Sequence, residues 1–153
     1  MALTLRIVLS TLLVISFAAI ATSESCLYLV RVQTGFGDGS GTDAKVKLQV
    51  FDHSGKNFVI DSLENFGIME PGHLYFERSN LDLFSFSNVC LNPCKIYLET
   101  NGWGNRPDWN LEYVEITTKG PGIATQVGFP VSYWLGLGYP FTVNLCLPAR
   151  RHN

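Results

Sequence analysis

The feature that most constrains the fold is a strict two-residue alternation of polar and apolar side chains between residues 44 and 52. The alternating positions are occupied by Lys45, Val46, Lys47, Leu48, Gln49 and Val50. Successive side chains of a β-strand point to opposite faces, so this segment predicts a strand with one buried and one solvated face. Such a strand belongs to an antiparallel sheet covered on one side only, which suits a sandwich of two sheets.

Other segments with strand character follow along the chain, so we predict an all-β fold. They are residues 27–33, 57–61, 75–78, 81–86, 96–99, 109–116, 124–129 and 139–147. In the run that starts at Trp109 the apolar side chains change face near Tyr113, which predicts a β-bulge there. Residues 133–135 are interpreted as a packed connector before the last strand.

The most aromatic stretch, residues 71–94, is expected to be the part around which the remainder packs. We interpret residues 75–78 and 81–86 as two strands separated by a break at Ser79 and Asn80. In the second strand the predicted faces alternate, with one face formed by Asp82, Phe84 and Phe86.

The first 23 residues differ in composition from the rest of the chain. Arg6 precedes an apolar run over residues 7–21, and residues 19–21 form an A-x-A cleavage pattern, with residues 21–23 as a second choice. We interpret this segment as a secretory signal peptide, because fifteen apolar residues fall short of the ~20 that span a bilayer. The prediction is a protein that is secreted or held in the endoplasmic reticulum lumen. The domain is predicted at residues 26–147 and a disordered tail at residues 148–153.

Net charge and cysteine content restrict the partners and the compartment. Removal of Arg6 with the leader leaves 10 basic and 13 acidic residues, a net charge of −3 that argues against nucleic-acid binding. The protein is expected to be a monomer. Four cysteines after a signal peptide predict two disulfides, for which three pairings are possible. We prefer Cys26–Cys146 with Cys90–Cys94, because Cys26 opens the first strand and Cys146 closes the last.

Candidate binding residues lie in segments between the strands. The glycine-rich segment 34–43 fits no phosphate-loop pattern, but Asp38 and Asp43 could hold Ca²⁺, which takes several oxygen ligands. The alternative is an ordinary hairpin loop. Trp103 lies between two glycines, and either it is exposed, as at a lipid interface, or it folds back onto a sheet edge.

Catalytic patterns are sparse in this sequence. No G-x-S-x-G motif occurs, and His73 with Glu77 is the one histidine–carboxylate pair that could share a strand face. A structural surface pair is the favoured interpretation of these two residues. We therefore predict that the chain is not an enzyme.

Five short motifs together resemble a known family, the small secreted plant proteins that consist of a signal peptide and one PLAT (lipoxygenase-homology) domain. The motifs are His73-Leu74-Tyr75-Phe76-Glu77-Arg78-Ser79-Asn80-Leu81-Asp82-Leu83-Phe84-Ser85, Thr34-Gly35, Gly41-Thr42-Asp43-Ala44, Trp109-Asn110-Leu111-Glu112-Tyr113-Val114-Glu115 and Tyr133-Trp134-Leu135. The resemblance implies an antiparallel eight-stranded β-sandwich that attaches to lipid or protein without catalysis. It also implies calcium sites in loops at one end of some members, and a link to abiotic stress.

The chain departs from the family pattern at four positions. Leu74 replaces an Asp, Ser79 and Phe86 replace glycines, and Leu111 replaces a cysteine. Relative to the family, the chain thus loses one side chain that could be a ligand or an ion-pair member, and it has fewer disulfides.

Two functional hypotheses result. In the first, the tips Phe36, Phe66 and Trp103 insert into a membrane while Ca²⁺, the only cofactor expected, bridges to lipid headgroups. The candidate calcium ligands are Asp38, Asp43, Glu64 and Asn101. In the second, the domain binds a protein partner and no lipid.

Overall fold

The structure is a computed structural model that describes residues 24–137 and 139–146. The predicted leader at 1–23 and tail at 148–153 lie outside the described residues. The strands are β1 Ser25–Thr34, β2 Val46–Phe51, β3 Asn57–Ile60, β4 Leu81–Val89, β5 Lys95–Thr100, β6 Trp109–Gly120, β7 Ile123–Leu135 and β8 Phe141–Asn144. A 3-10 helix spans Leu63–Phe66. None of the described segments forms a helix long and apolar enough to cross a bilayer.

Two four-stranded sheets make up the sandwich, with strand orders β4-β1-β6-β7 and β3-β2-β5-β8. Every pairing is antiparallel, so all strand ends collect at two opposite ends of the domain. One end, called the loop end below, contains residues 35–45, 61–80, 101–108 and 136–140. The other, called the disulfide end, contains residues 52–56, 90–94 and 121–122. The predicted all-β sandwich is confirmed.

The core forms between the inward faces of the two sheets. The side chains that the alternation in β2 predicts to be inward, Val46, Leu48 and Val50, are fully buried. One face of β1, formed by Tyr28, Val30 and Val32, is fully buried as well. The predicted face of β4 is also buried, and the predicted bulge in β6 is a register shift between Leu111 and Tyr113. The period-2 pattern thus identified the buried face of β2 correctly and grouped the side chains of β1 and β4 by face.

The strand predicted at residues 75–78 is wrong. This segment is a series of turns in which Phe76 and Ser79 have positive φ values of 61° and 65°. Left-handed backbone cannot continue an extended strand, and it favours glycine, the residue that the family pattern has where this chain has Ser79. The Phe76 ring nevertheless enters the core and stacks on Phe84, with ring centroids 5.5 Å apart. The sequence pattern therefore predicted the burial of Phe76 correctly, but it predicted the wrong backbone conformation for residues 75–78.

The preferred disulfide pairing is also wrong. The bridges are Cys26–Cys90 and Cys94–Cys146. The first and last strands lie in different sheets, so Cys26 meets the residue that follows its neighbour β4. Cys146 in turn meets the residue that precedes its neighbour β5. Each bridge thus joins adjacent strands of one sheet, at the disulfide end.

Two boundaries in the last third of the chain differ from the prediction. Residues 133–135 are the end of β7 rather than a connector, and the last strand covers Phe141–Asn144 instead of residues 139–147. The short β8 is an edge strand that pairs only with β5.

Candidate functional site at the loop end

Three of the loops at the loop end are tied together by backbone hydrogen bonds. The Thr42 amide donates to the Phe76 carbonyl at 3.1 Å, and the Asp43 amide donates to the Arg106 carbonyl at 3.2 Å. The Asn101 amide donates to the Lys45 carbonyl at 3.1 Å. Residues 35–45 therefore form the centre of the loop end, with residues 73–80 on one side and residues 101–106 on the other.

Exposed large apolar side chains concentrate at this end. Of the twelve among the described residues, nine lie on its loops or on the adjoining end of β7; they are Phe36, Phe66, Ile68, Leu74, Trp103, Tyr133, Trp134, Leu137 and Tyr139. Scattered apolar side chains are normal on protein surfaces, but a concentration of them marks an attachment site.

Two of the three predicted lipid-binding residues, Phe36 and Trp103, lie at the loop end, whereas Phe66, within the segment 61–80, lies beside the middle of β4, where Gly67 pairs with Phe84. Trp103 is 75% exposed and Phe36 65% exposed, so the fold-back alternative for Trp103 does not occur. Phe66 is only 38% exposed, because its ring packs edge-on against Phe86 at 5.4 Å between centroids. Phe36 and Trp103 are thus free tips, whereas Phe66 is partly anchored in the core.

The structure does not bring the four predicted calcium ligands to one point. Asp43 and Glu64 line one cavity of about 270 Å³ together with His73, Leu74 and Glu77. Asp38 instead pairs with Arg78, and the Asn101 side-chain oxygen accepts hydrogen bonds from the Lys45 and Trp103 amides. In the described part of the chain, no three acidic, histidine or cysteine side chains form a metal-binding group.

The cavity that Asp43 and Glu64 share retains one feature of a cation site. The Glu64 Oε2 atom is buried and has no hydrogen-bond partner, which is costly for a carboxyl oxygen. Leu74, at the position where the family pattern has Asp, lines the same cavity. The residues present therefore fit a weakly held Ca²⁺ with two carboxylate ligands, to which carbonyls and water would have to add.

A buried pair holds the wall of this cavity, and sequence reasoning missed it. His73 Nε2 lies 2.6 Å from Asp82 Oδ1, and Asp82 Oδ2 accepts the Phe76 amide at 2.7 Å. Asp82 is fully buried, and a Glu70 carboxylate oxygen lies 3.6 Å from His73 Nδ1. The pair that the sequence suggested, His73 with Glu77, does not form. The signal was the isolated Asp82 on the buried face of β4.

The hydrogen bond with Asp82 raises the pKa of His73 above its ordinary value of 6.5; burial opposes this shift, and the charges of Asp82 and Glu70 add to it. A raised folded-state pKa means that protonated His73 stabilises the fold fully below about pH 6.5. That contribution is lost as the pH rises through the folded-state pKa.

We therefore expect the urea midpoint to fall as the pH rises above 6.5, and to fall less steeply in His73→Gln. The measurement is a series of urea unfolding curves between about pH 6 and pH 8. His53→Gln, in the exposed turn after β2, is the matched control and should retain the wild-type slope. Equal slopes in wild type and His73→Gln would contradict the expectation.

The loop end is acidic as well as apolar. Its four segments carry seven acidic and three basic side chains, a net charge of −4 with His73 neutral. The other described residues carry six acidic and five basic side chains, a net charge of −1, so they do not offset this charge. The loop end therefore repels an anionic surface.

These features define a class of protein: an antiparallel β-sandwich module that presents apolar and acidic loops at one end. The family model described as "PLAT/LH2 domain" matches residues 28–139. The chain belongs to this family, as the motif resemblance predicted.

Relatives and solved structures agree with this assignment. PLAT domain-containing protein 2 of Arabidopsis thaliana is 39% identical over 135 residues, which cover 83% of this chain and 74% of that protein. Coral 8R-lipoxygenase, whose structure is reported with calcium activation via a C2-like domain, shares the fold at a TM-score of 0.59 and 21% identity, over 77% of this chain. A calcium-dependent 11R-lipoxygenase is 26% identical at a TM-score of 0.58, over 78% of this chain. This chain spans only 16% and 17% of the two lipoxygenases.

Proposed function

We propose that this chain is a non-catalytic module that binds lipid surfaces through the loop end, in a secreted plant protein of the stress response. The single observation that carries lipid binding is the collection of exposed aromatic and aliphatic tips on loops that share one end. Tryptophan and tyrosine are favoured at the boundary between lipid and water, where the ring is buried and its polar atom stays wet. The absence of a catalytic role is supported by the likeness to proteins named for the PLAT domain alone.

Calcium is proposed to assist this binding. The net charge of −4 at the loop end opposes contact with anionic headgroups, and a bound Ca²⁺ would reduce that charge. Asp43 and Glu64 are the residues that would hold the ion, since Glu64 Oε2 is buried without a partner. The replacement of an Asp by Leu74 leaves few ligands, so we expect affinity in the range of extracellular modules, about 10⁻⁴ to 10⁻³ M.

Secretion is part of the proposal. Its support from the structure is the two disulfides, because such bridges form and persist in oxidising compartments. The stress-response role rests on the motif resemblance to the secreted plant proteins.

Trp103→Ala is expected to weaken binding to lipid vesicles about 10- to 100-fold, because burying a large apolar side chain contributes about 1.5–3 kcal/mol. The measurement is co-sedimentation with vesicles, with Ca²⁺ and with a chelator. Leu27→Ala is the matched control, since Leu27 is half exposed at the start of β1, near the disulfide end. That variant should bind like wild type.

Failure of the wild-type protein to pellet with any vesicle, with or without Ca²⁺, would overturn the proposal. That result would favour the alternative function, a module that binds a protein partner. Equal losses in Trp103→Ala and Leu27→Ala would show that binding does not depend on the loop end.

A further inference from the structure

A second cleft at the loop end has a composition unlike that of the cavity beside Glu64. It has a volume of about 530 Å³ and is lined by Asp38, Gly39, Glu77, Arg78 and Arg106. This volume lies within the range of small-molecule sites. No large apolar side chain lines the cleft, so it suits a polar ligand.

The walls of the cleft are fixed by backbone contacts. The Ser79 amide donates to the Gly35 carbonyl at 2.9 Å, which holds the chain next to Arg78. On the other side, the Arg106 carbonyl accepts hydrogen bonds from the Thr42 hydroxyl at 2.7 Å and from the Asp43 amide. The charged side chains therefore extend from positioned backbone, which lowers the entropic cost of binding.

Gly41 shows how closely two of these segments approach each other. A Cβ atom at Gly41 would lie 3.1 Å from Glu77 Cα, closer than most such contacts. Any side chain at this position would push residues 77 and 78 away from the central loop. The glycine thus keeps Glu77 and Arg78 beside the loop that carries Asp38.

The cleft has equal numbers of positive and negative side chains, but only two of the four form an ion pair with each other. Arg78 donates to Asp38, whereas neither Arg106 nor Glu77 belongs to an ion pair among the described residues. Two guanidinium and two carboxylate groups give a net charge of zero, so neither a free anion nor a free cation is strongly attracted. A ligand with both charges would satisfy both unpaired groups.

We propose that this cleft binds the zwitterionic headgroup of a phospholipid of the phosphocholine class. Arg106, with Arg78 beside it, receives the phosphate, because guanidinium groups match phosphate oxygens with paired donors. Glu77 receives the quaternary ammonium. This inference rests on the proposed lipid binding and specifies its ligand.

The position of the cleft agrees with this ligand. It lies between the loop that carries Phe36 and the loop that carries Trp103, both free apolar tips. A headgroup in the cleft would place its acyl chains beside those tips. The acidic loop end would at the same time disfavour anionic lipids when Ca²⁺ is removed.

The first test uses vesicles of pure phosphatidylcholine and of pure phosphatidylserine, in the presence of a chelator. Wild type should bind phosphatidylcholine more tightly, and Arg106→Gln should lower that affinity about tenfold, as expected for the loss of one hydrogen bond to a charged group. Glu77→Gln should lower it as well. Lys119→Gln, at the far end of β6, is the matched control and should bind like wild type.

The second test uses soluble competitors and separates the sources of the phosphate. Phosphocholine should displace the protein from phosphatidylcholine vesicles, whereas inorganic phosphate or choline chloride at equal concentration should not. Competition by inorganic phosphate equal to that by phosphocholine would overturn the proposal in favour of a simple anion site.

The results also separate this inference from the proposed function. Unchanged phosphatidylcholine binding in Arg106→Gln and Glu77→Gln, together with a loss in Trp103→Ala, would overturn the headgroup site and leave lipid binding intact. No binding of wild type to either vesicle, in chelator and in Ca²⁺ alike, would overturn both.

Discussion

Asp82→Asn is expected to destabilise the fold by about 3–5 kcal/mol, the usual cost of removing one partner of a buried ion pair. Asp82 is fully buried, and its two oxygens face two donors, His73 Nε2 and the Phe76 amide. Asparagine has the same size but offers one acceptor and one donor group. One of the two buried donors would therefore lose its partner or face another donor.

The measurement is urea unfolding at pH 6, where His73 carries its charge in the folded protein. Asp61→Asn is the matched control, because Asp61 is exposed at the loop end, and its effect should stay within about 0.5 kcal/mol. A loss below about 1 kcal/mol in Asp82→Asn would show that the pair with His73 contributes little to stability.

Asp82→Asn is also expected to weaken lipid binding, because it alters the backbone next to the proposed headgroup cleft. Phe76 has a strained positive φ of 61°, and strain of this kind persists only where neighbouring contacts maintain it. The turn at Phe76 leads directly to Glu77 and Arg78, which line the proposed headgroup cleft. Folded Asp82→Asn should therefore bind phosphatidylcholine vesicles more weakly than Asp61→Asn does.

The double variant Cys26→Ser/Cys90→Ser is expected to lose about 2–4 kcal/mol of stability. The bridge closes a loop with a sequence separation of 64 residues, for which the chain-entropy estimate is about 4 kcal/mol. Its removal restores that conformational freedom to the unfolded chain. The midpoint of urea unfolding under non-reducing conditions measures the loss.

Counting free thiols in two double variants tests which cysteines are bonded to each other. Cys26→Ser/Cys90→Ser should contain no free thiol after denaturation, because Cys94–Cys146 remains intact. Cys26→Ser/Cys146→Ser removes one partner from each bridge, so it should expose two free thiols or form a new bridge between the remaining two. It should also lose more stability. A fully stable Cys26→Ser/Cys146→Ser protein would contradict the observed pairing.

Strand positions and inward faces could be predicted because both depend on local sequence. The alternation in β1, β2 and β5 reports which side chains leave water, and burial of those side chains determines the face. The segment 75–78 failed for a physical reason. Phe76 is buried and Tyr75 is half-buried, but a hydrogen bond from the Phe76 amide to the Asp82 carboxylate stabilises a turn there.

The candidate site was predictable only in part. Exposed tips such as Trp103 could be recognised because glycines on both sides leave no local side chain to cover the ring. Leu137 and Tyr139 gave no comparable signal. The grouping of charges was not predictable either, since Arg106 meets Asp38 and Glu77 only through contacts between loops distant in sequence.

By itself, the sequence determined an all-β chain, its inward faces, its family, and loops with apolar tips and acidic side chains. Only the tertiary structure decided the disulfide partners, the burial of Asp82 against His73, and the separation of Asp38 from Asp43 and Glu64. The physical reason is that period and composition act over neighbouring residues. Which cysteines, charged side chains and loops meet depends instead on which strands are neighbours. The order of the strands in the two sheets determines those neighbours.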